Sequence, residues 1–110
     1  MKILLDENID VRFKNLFDPN VHAVFTVKDK KWCGIKNGML LKLLKENSFD
    51  IFISVDKNLP YQQNAKDLPV LIIILNIKRN VLGSISKLYP EVLLLISKKQ
   101  KNKIFVLEEF

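Results

Sequence analysis

Two aspartates stand out in this sequence because each follows a short apolar run and precedes an asparagine. Asp6 lies in KILLDEN at residues 2–8, and Asp56 lies in FISVDKN at residues 52–58. If both runs are buried parallel strands, the two side chains meet in the crevice outside the carboxyl ends of the sheet. Two carboxylates held close together cannot both ionise cheaply unless a cation lies between them. The pattern therefore predicts a divalent-metal site at one edge of a parallel sheet.

The predicted metal is Mg²⁺ or Mn²⁺. Magnesium prefers oxygen ligands, usually one or two carboxylates with water and substrate phosphate, and such an ion stabilises charge on a phosphodiester during cleavage. Asp6 and Asp56 are the predicted catalytic residues, and the predicted metal ligands are Asp6, Asp56, Glu7 and Asn37. Two alternatives stay open: both aspartates could simply cap strand ends, and Glu7 could turn outward and favour a helix N-terminus electrostatically.

The residues predicted to bind substrate flank these acids. They are Asn8, Lys57, Asn58, Gln62, Trp32 and Lys36. Trp32 lies in a lysine-bearing loop and could stack on a base, although a tryptophan in such a loop more often packs it onto the core. Asn8, Asn37 and Asn58 could each be simple helix N-caps. Ser54 could orient the carboxylate of Asp56 or simply pack.

Length and composition predict one compact domain over residues 1–110. Apolar residues make up 48% of the chain, which is enough to form a core. The single Cys33 cannot form an internal disulfide, which suits a reducing cytoplasm. The sequence opens directly on a strand pattern, so no signal peptide is expected. The longest apolar runs, residues 70–75 and 92–96, are too short to cross a bilayer, so no membrane partner is expected.

The chain is basic, with a formal net charge of +6 from 18 lysine and arginine residues against 12 acidic residues. A basic surface around an acidic pocket suits an enzyme that acts on a phosphate backbone, since the field attracts the polyanion. Simple solubility explains the same charge, so this observation alone does not decide between them.

Hydrophobic periodicity predicts alternating strands and helices. Strands are predicted over residues 2–5, 21–27, 51–55, 70–75 and 103–107, and helices over residues 9–17, 38–46, 58–64, 81–88 and 91–96. Asn8 is the predicted cap of the first helix, Met39 is placed on the buried face of the second, and Pro90 is the predicted break between the last two. Short connections and crossover helices predict a three-layer α/β/α sandwich around a mostly parallel five-stranded sheet.

Taken together, KILLDEN, a strand containing His22, the loop WCGIKNG and the later FISVDKNL resemble the PIN-like domain family of small proteins. That family is related to the toxin ribonucleases of toxin–antitoxin pairs, and the resemblance covers about residues 1–75. It implies metal-dependent cleavage of RNA by clustered acids. Asp6 matches the acid after the first strand and Asp56 the acid of the later T/S-x-D motif. Asn37 falls where related sequences often carry an acid, so one charge is missing from the implied metal site, and Asn58 is likewise neutral.

Three function hypotheses follow. The first is a PIN-like endoribonuclease whose partners are RNA and an antitoxin protein, with a homodimer left open. The second is a PIN-like module that binds nucleic acid or an antitoxin without turnover. The third is a phosphoacceptor receiver domain with Asp56 as the acceptor, which normally needs a lysine at the end of the last strand; here Lys103 begins that strand.

Overall fold

A computed structural model describes residues 1–57, 70–98 and 104–108. The predicted α/β class is confirmed. Five strands form one sheet: β1 (Lys2–Leu5), β2 (Ala23–Thr26), β3 (Ile51–Ser54), β4 (Leu71–Asn76) and β5 (Ile104–Glu108). Their order is β2-β1-β3-β4-β5, and all four neighbouring pairs are parallel. The order reverses at β1, with β2 on one side of it and β3 on the other, so the chain switches direction across the sheet at that strand.

Helices cover both faces of the sheet. They are a 3₁₀ helix (Val11–Leu16), α1 (Asn37–Glu46), α2 (Leu82–Lys87) and α3 (Tyr89–Ser97). One apolar cluster joins the 3₁₀ helix, α2 and α3 to side chains such as Ile3, Leu5 and Ile53. The other joins α1 to side chains such as Leu4 and Phe52. Successive strand residues point to opposite faces, so β1 contributes to both clusters and is buried on both sides.

The continuous apolar run that predicted β4 has the burial expected of an inner strand. Each residue from Leu71 to Leu75 is at most 1% exposed. β4 lies between β3 and β5, whereas β2 and β5 are the outer strands. The sheet is therefore well covered at β1, β3 and β4, and these strands fix the positions of whatever follows their carboxyl ends.

The first helix differs from the prediction. Instead of an α-helix over residues 9–17 capped by Asn8, the chain forms a 3₁₀ helix whose N-cap is Asp10. The Asp10 carboxylate accepts from the backbone N–H of Arg12 at 2.9 Å and pairs with its guanidinium at 2.7 Å. This local bond starts the helix two residues later than Asn8 would, which leaves Asn8 exposed before it.

The second helix is rotated relative to the prediction. Asn37 is its first residue, after a Lys36 N-cap that makes no side-chain capping bond. Met39 is 54% exposed, and Leu41 takes the buried place together with Leu40 and Leu44. Methionine is apolar enough to suggest the wrong face, but the period of 3.6 residues fits 40, 41 and 44 equally well.

The predicted break at Pro90 is misplaced. The two last helices meet at Leu88, and Pro90 lies in the first turn of α3, where its missing N–H costs no helix bond. The predicted short helix over residues 58–64 lies outside the described residues. β5 is an outer strand and is shifted by one residue from the predicted residues 103–107.

Candidate acidic cleft at the carboxyl edge of the sheet

Asp6 and Asp56 lie at the same edge of the sheet. β1 and β3 are parallel neighbours with Leu5 opposite Ile53, so the residues that follow them emerge side by side. The backbone N–H of Asp6 donates to the carbonyl of Ile53 at 2.9 Å, which extends the pairing one residue past β1. This is the point where the strand order reverses, and open parallel sheets bind their ligands in the crevice at such a switch point.

The two aspartates line one cleft of about 420 Å³. Its lining residues are Asp6, Glu7, Asn8, Gly34, Ile35, Lys36 and Asp56. Three segments therefore build it: the end of β1, the loop that leads into α1, and the end of β3. Three of the lining side chains are acidic and one is a lysine, so the cleft carries a net negative charge within a basic protein.

The carboxylate of Asp6 is held in a fixed orientation. Its Oδ1 accepts from the backbone N–H of Glu7 at 2.8 Å, and its Oδ2 accepts from the hydroxyl of Ser54 at 2.7 Å. An ionised carboxylate has about four lone-pair sites, so two bonds leave further acceptor capacity on its oxygens. Asp6 is thus oriented by the protein and still able to bind a cation or a donor in the cleft.

Ser54 is the residue that ties the two strand ends together. Its side chain is fully buried, it donates to Asp6, and its oxygen accepts from the backbone N–H of Asp56 at 3.0 Å. A buried hydroxyl is costly unless it is bonded, and both of its bonds go to the candidate site. The serine therefore orients the Asp6 carboxylate and the Asp56 backbone, whereas the sequence suggested the Asp56 carboxylate.

The pKa of Asp6 is raised above its ordinary value. Burial at the end of β1 is the largest cause, and the charges of Glu7 and Asp56 raise the pKa further. The hydrogen bonds from Ser54 and from the Glu7 backbone oppose this shift because they favour the ionised form. A nearby cation would stabilise the ionised form of Asp6, because its positive charge offsets both the cost of burial and the repulsion from Glu7 and Asp56.

Glu7 reaches across the cleft to the loop before α1. Its Oε2 accepts from the backbone N–H of Gly34 at 3.3 Å. Gly34 has a φ of +80°, a conformation that glycine adopts at little cost and that other residues avoid. Glu7 is exposed, so this bond links two walls of the cleft and leaves its carboxylate accessible.

The other predicted site residues differ in where they lie relative to the cleft. Asn8 and Lys36 line the cleft, and Lys57 is exposed immediately after Asp56. Trp32 is half-buried and packs edge-on against Phe49, with ring centroids 5.9 Å apart, as expected of a tryptophan that fastens its loop to the core. Asn58 and Gln62 lie outside the described residues. Asn37 begins α1 beside the cleft residue Lys36.

The donor set at the cleft is small for a metal site. In the part of the chain that the structure describes, no three His, Cys, Asp or Glu side chains converge closely enough to hold an ion together. Asp6 and Asp56 alone match the commoner magnesium arrangement, in which one or two carboxylates are completed by waters and by substrate phosphate. The oxygen chemistry and the raised Asp6 pKa therefore fit a weakly held Mg²⁺ or Mn²⁺, with substrate supplying part of the coordination.

Sequence reasoning missed two residues of the cleft. Gly34 and Ile35 were not predicted, although the glycine in WCGIKNG signals a special backbone conformation. His22 packs its ring against Phe17, with burial lowering its pKa, which agrees with a packed rather than a catalytic histidine. Cys33 is an exposed free thiol.

Among the helices of residues 1–57 and 70–98, none is long and apolar enough to cross a membrane. Comparisons of the chain with protein-family models, with curated proteins and with solved structures find no match.

Proposed function

We propose that this chain is a PIN-like, Mg²⁺- or Mn²⁺-dependent ribonuclease that hydrolyses RNA phosphodiester bonds in the acidic cleft. The observation that carries the proposal is the convergence of Asp6 and Asp56, whose parent strands are neighbours, at the switch point of the sheet. Ser54 reinforces this convergence by bonding to both residues. The resemblance in the two aspartate motifs supports RNA as the substrate and an antitoxin protein as a partner.

The chain's own groups would do three things in this reaction. Asp6 and Asp56 would hold the metal, and Ser54 would keep the Asp6 carboxylate turned into the cleft. Lys36, the cation of the cleft lining, would attract the phosphate of the substrate against the negative field of the acids. A bound Mg²⁺ or Mn²⁺ would supply Lewis-acid stabilisation of the charge that develops on the phosphodiester.

Cleavage of single-stranded RNA in the presence of Mg²⁺ or Mn²⁺ tests the proposal directly. The wild-type protein should cleave, chelation of the metal should stop the reaction, and Asp6→Asn and Asp56→Asn should each lower the rate by about 10²–10³-fold. Cleavage that survives both substitutions would show that the active site lies elsewhere.

A second candidate is a module that binds RNA or an antitoxin through the same cleft without turnover. Two observations favour it: within the described residues the cleft lacks a third converging metal ligand, and Asn37 supplies no charge. Such a module would bind RNA with an affinity that depends on salt and is identical with and without metal. It would give no metal-dependent product.

The receiver hypothesis receives less support from the strand ends. A strand order of 2-1-3-4-5 is compatible with it. However, β5 ends in Glu108, whose carboxylate accepts from the side-chain amide of Asn76 at 2.7 Å. The β4 and β5 ends therefore carry an amide and an acid where a receiver needs a hydroxyl and a lysine. Labelling of Asp56 by acetyl phosphate would restore the hypothesis.

A further inference from the structure

The connection between β4 and α2 crosses the sheet edge toward the acidic cleft. It is short, spanning residues 77–81, and begins with the buried Ile77. Lys78, Arg79 and Asn80 follow and are all exposed. The backbone N–H of Val81 donates to the carbonyl of Arg79 at 2.9 Å, so the segment is tightly turned before α2 starts. Its two cations are thus presented on a short, internally bonded loop.

Asn80 fastens this loop to the cleft. Its side-chain amide donates to the backbone carbonyl of Asn8, a residue of the cleft lining. Consecutive Cα atoms are about 3.8 Å apart, so Arg79 and Lys78 lie within one and two residue steps of that contact. The loop starts from the end of β4 and reaches the segment after β1, and β3 with Asp56 lies between those strands.

The described cations differ in whether they have acidic partners. Arg12 pairs with Asp10 at 2.7 Å, and Lys14 pairs with Asp29 at 3.3 Å. Lys78 and Arg79, like most of the other described cations, have no acid within 4 Å among the described residues. Lys36 provides a further cation on the loop before α1, which contributes a different wall of the cleft. Cations are therefore carried by two separate loops: Lys36 lines the cleft, and the loop of Lys78 and Arg79 is bonded to a lining residue through Asn80.

We propose that Lys78 and Arg79 bind backbone phosphates of single-stranded RNA next to the cleft, with Asn80 as the residue that positions their loop. This inference rests on the proposed function for the choice of RNA as the polyanion. Two exposed cations without acidic partners are available for two phosphates, and binding of phosphates by such groups releases counterions. An acidic protein fits this surface less well. Its carboxylates would lie against the acidic side chains of Asp6, Glu7 and Asp56, and it carries no phosphate that a metal ion could bridge to them.

The test is binding of a fluorescent single-stranded RNA of about ten nucleotides in EDTA, so that no cleavage occurs, at salt concentrations from about 50 to 200 mM. Lys78→Ala/Arg79→Ala is compared with Lys42→Ala/Lys45→Ala. The control variant removes two exposed charges from α1, downstream of the first turn that borders the cleft. Both variants lower the net charge by the same amount. A difference in RNA affinity between them therefore shows that the position of the removed charges matters.

The double substitution in the loop should reduce the slope of log affinity against log salt by about 1.4, because each single-strand phosphate contact contributes about 0.7. Affinity near 0.1 M salt should fall about tenfold or more, whereas the α1 control should change it by less than about threefold. Asn80→Ala should weaken binding by about threefold without any change in charge. Equal losses in the loop and α1 variants, or an unchanged slope in the loop variant, would overturn the inference.

The outcome separates this inference from the proposed function. If the wild type cleaves RNA with metal and Asp6→Asn does not, but the loop variant binds like the wild type, the nuclease proposal stands and the loop assignment is wrong. If the loop variant instead binds RNA normally but loses binding to an acidic protein partner, the surface belongs to that partner and the RNA assignment is wrong.

Discussion

Two aspartates at the same edge of the sheet have opposite environments. Asp6 follows β1, and Asp29 comes shortly after the neighbouring strand β2. Each carboxylate accepts a backbone N–H, from Glu7 for Asp6 and from Thr26 for Asp29. The hydroxyl of Ser54 donates to the Asp6 carboxylate, whereas the hydroxyl of Thr26 accepts from the backbone N–H of Asp29. Asp29 has in addition the ammonium group of Lys14 at 3.3 Å. Asp6 has no such cation among the described residues.

The pKa values of Asp6 and Asp29 are shifted in opposite directions, in agreement with this difference. The pKa of Asp29 is lowered, mainly by the Thr26 backbone N–H and also by Lys14, whereas burial and neighbouring acids raise that of Asp6. The Asp29 carboxylate thus has a cationic partner, whereas the Asp6 carboxylate is oriented but has no counter-charge in the part of the chain that the structure describes. Perturbed pKa values of the second kind are concentrated at functional sites, where an external group completes the balance.

The largest expected contrast is in activity. Asp6→Asn should lower RNA cleavage by about 10²–10³-fold, the size of effect seen when one electrostatic contact to a transition state is lost. Asp29→Asn removes a charge from the same edge but outside the cleft, and should change the rate by less than about threefold. Initial rates at saturating metal provide the measurement, and a comparable loss in both variants would remove the distinction between the two carboxylates.

Ser54→Ala should have the next largest effect. It removes the acceptor that the fully buried Ser54 offers to the half-buried N–H of Asp56 and a donor to the Asp6 carboxylate, so the free energy of unfolding should fall by about 2 kcal/mol. The pKa of Asp6 should rise further, because a bond that favours ionisation is lost. Denaturant unfolding and carboxyl-carbon NMR measure the two quantities. The control is Ser97→Ala, an exposed serine that donates to the Leu94 carbonyl, and it should change neither by a comparable amount.

Metal binding should stabilise the wild type selectively. At a Mn²⁺ concentration ten times the Kd, the expected gain is about 1.4 kcal/mol, or a rise in Tm of roughly 5–10 °C. Asp29→Asn should retain this shift, and Asp6→Asn and Asp56→Asn should lose it. Thermal unfolding with Mn²⁺ and with EDTA tests the difference; an equal shift in all four proteins would indicate non-specific binding.

The smallest contrast is in stability without metal. The folded-state pKa of Asp6 is raised, so the folded protein binds more protons than the unfolded chain between the two pKa values, and its free energy of unfolding falls as pH rises through that window. At neutral pH, Asp6→Asn should therefore stabilise the protein by about 1 kcal/mol. The free energy of unfolding of both proteins, measured without metal at low pH, should show that this gain disappears because Asp6 becomes protonated.

Asp29 should behave in the opposite way. Its folded-state pKa is lowered below the ordinary value of 3.8, so its contribution is present above that value and is lost as pH falls through the folded-state pKa. Because this pair is 43% exposed on both sides, Asp29→Asn should cost less than about 1 kcal/mol at neutral pH. A stabilising effect of Asp29→Asn would contradict the assignment of Asp29 as a carboxylate with a cationic partner.

Much of the sheet was predictable because its inner strands are buried on both faces. The runs ILL of β1 and LIIIL of β4 have no exposed side to introduce polar residues. The first of these runs ends at Asp6, one of the acids that mark the cleft. Their parallel pairing and the convergence of Asp6 with Asp56 then followed from alternation of strands and helices. The helix boundaries were less certain because one capping side chain decides them, as Asp10 does for the 3₁₀ helix.

The site was predictable in its acids and less so in its supporting residues. Ser54, Gly34 and Asn80 take part through bonds between segments far apart in sequence, and no local pattern reports such bonds. Asn80 lies 72 residues from its partner Asn8, so only the folded topology brings them together. Ser54 was noticed as a polar residue in an apolar run, but its bond to Asp6 could not be inferred from that run.

The position of β1 between two strands that follow it in the chain has a kinetic consequence. Both of its partners follow it in the chain, and the Asp6–Ser54 bond joins residues 48 positions apart. Ordering such distant pairs costs loop-closure entropy before any contact is gained, and folding slows as the mean separation of contacting residues grows. We therefore expect β1 to pair with β3 later than with β2, which is nearer in the chain, and the acidic cleft to form only when β3 docks beside β1.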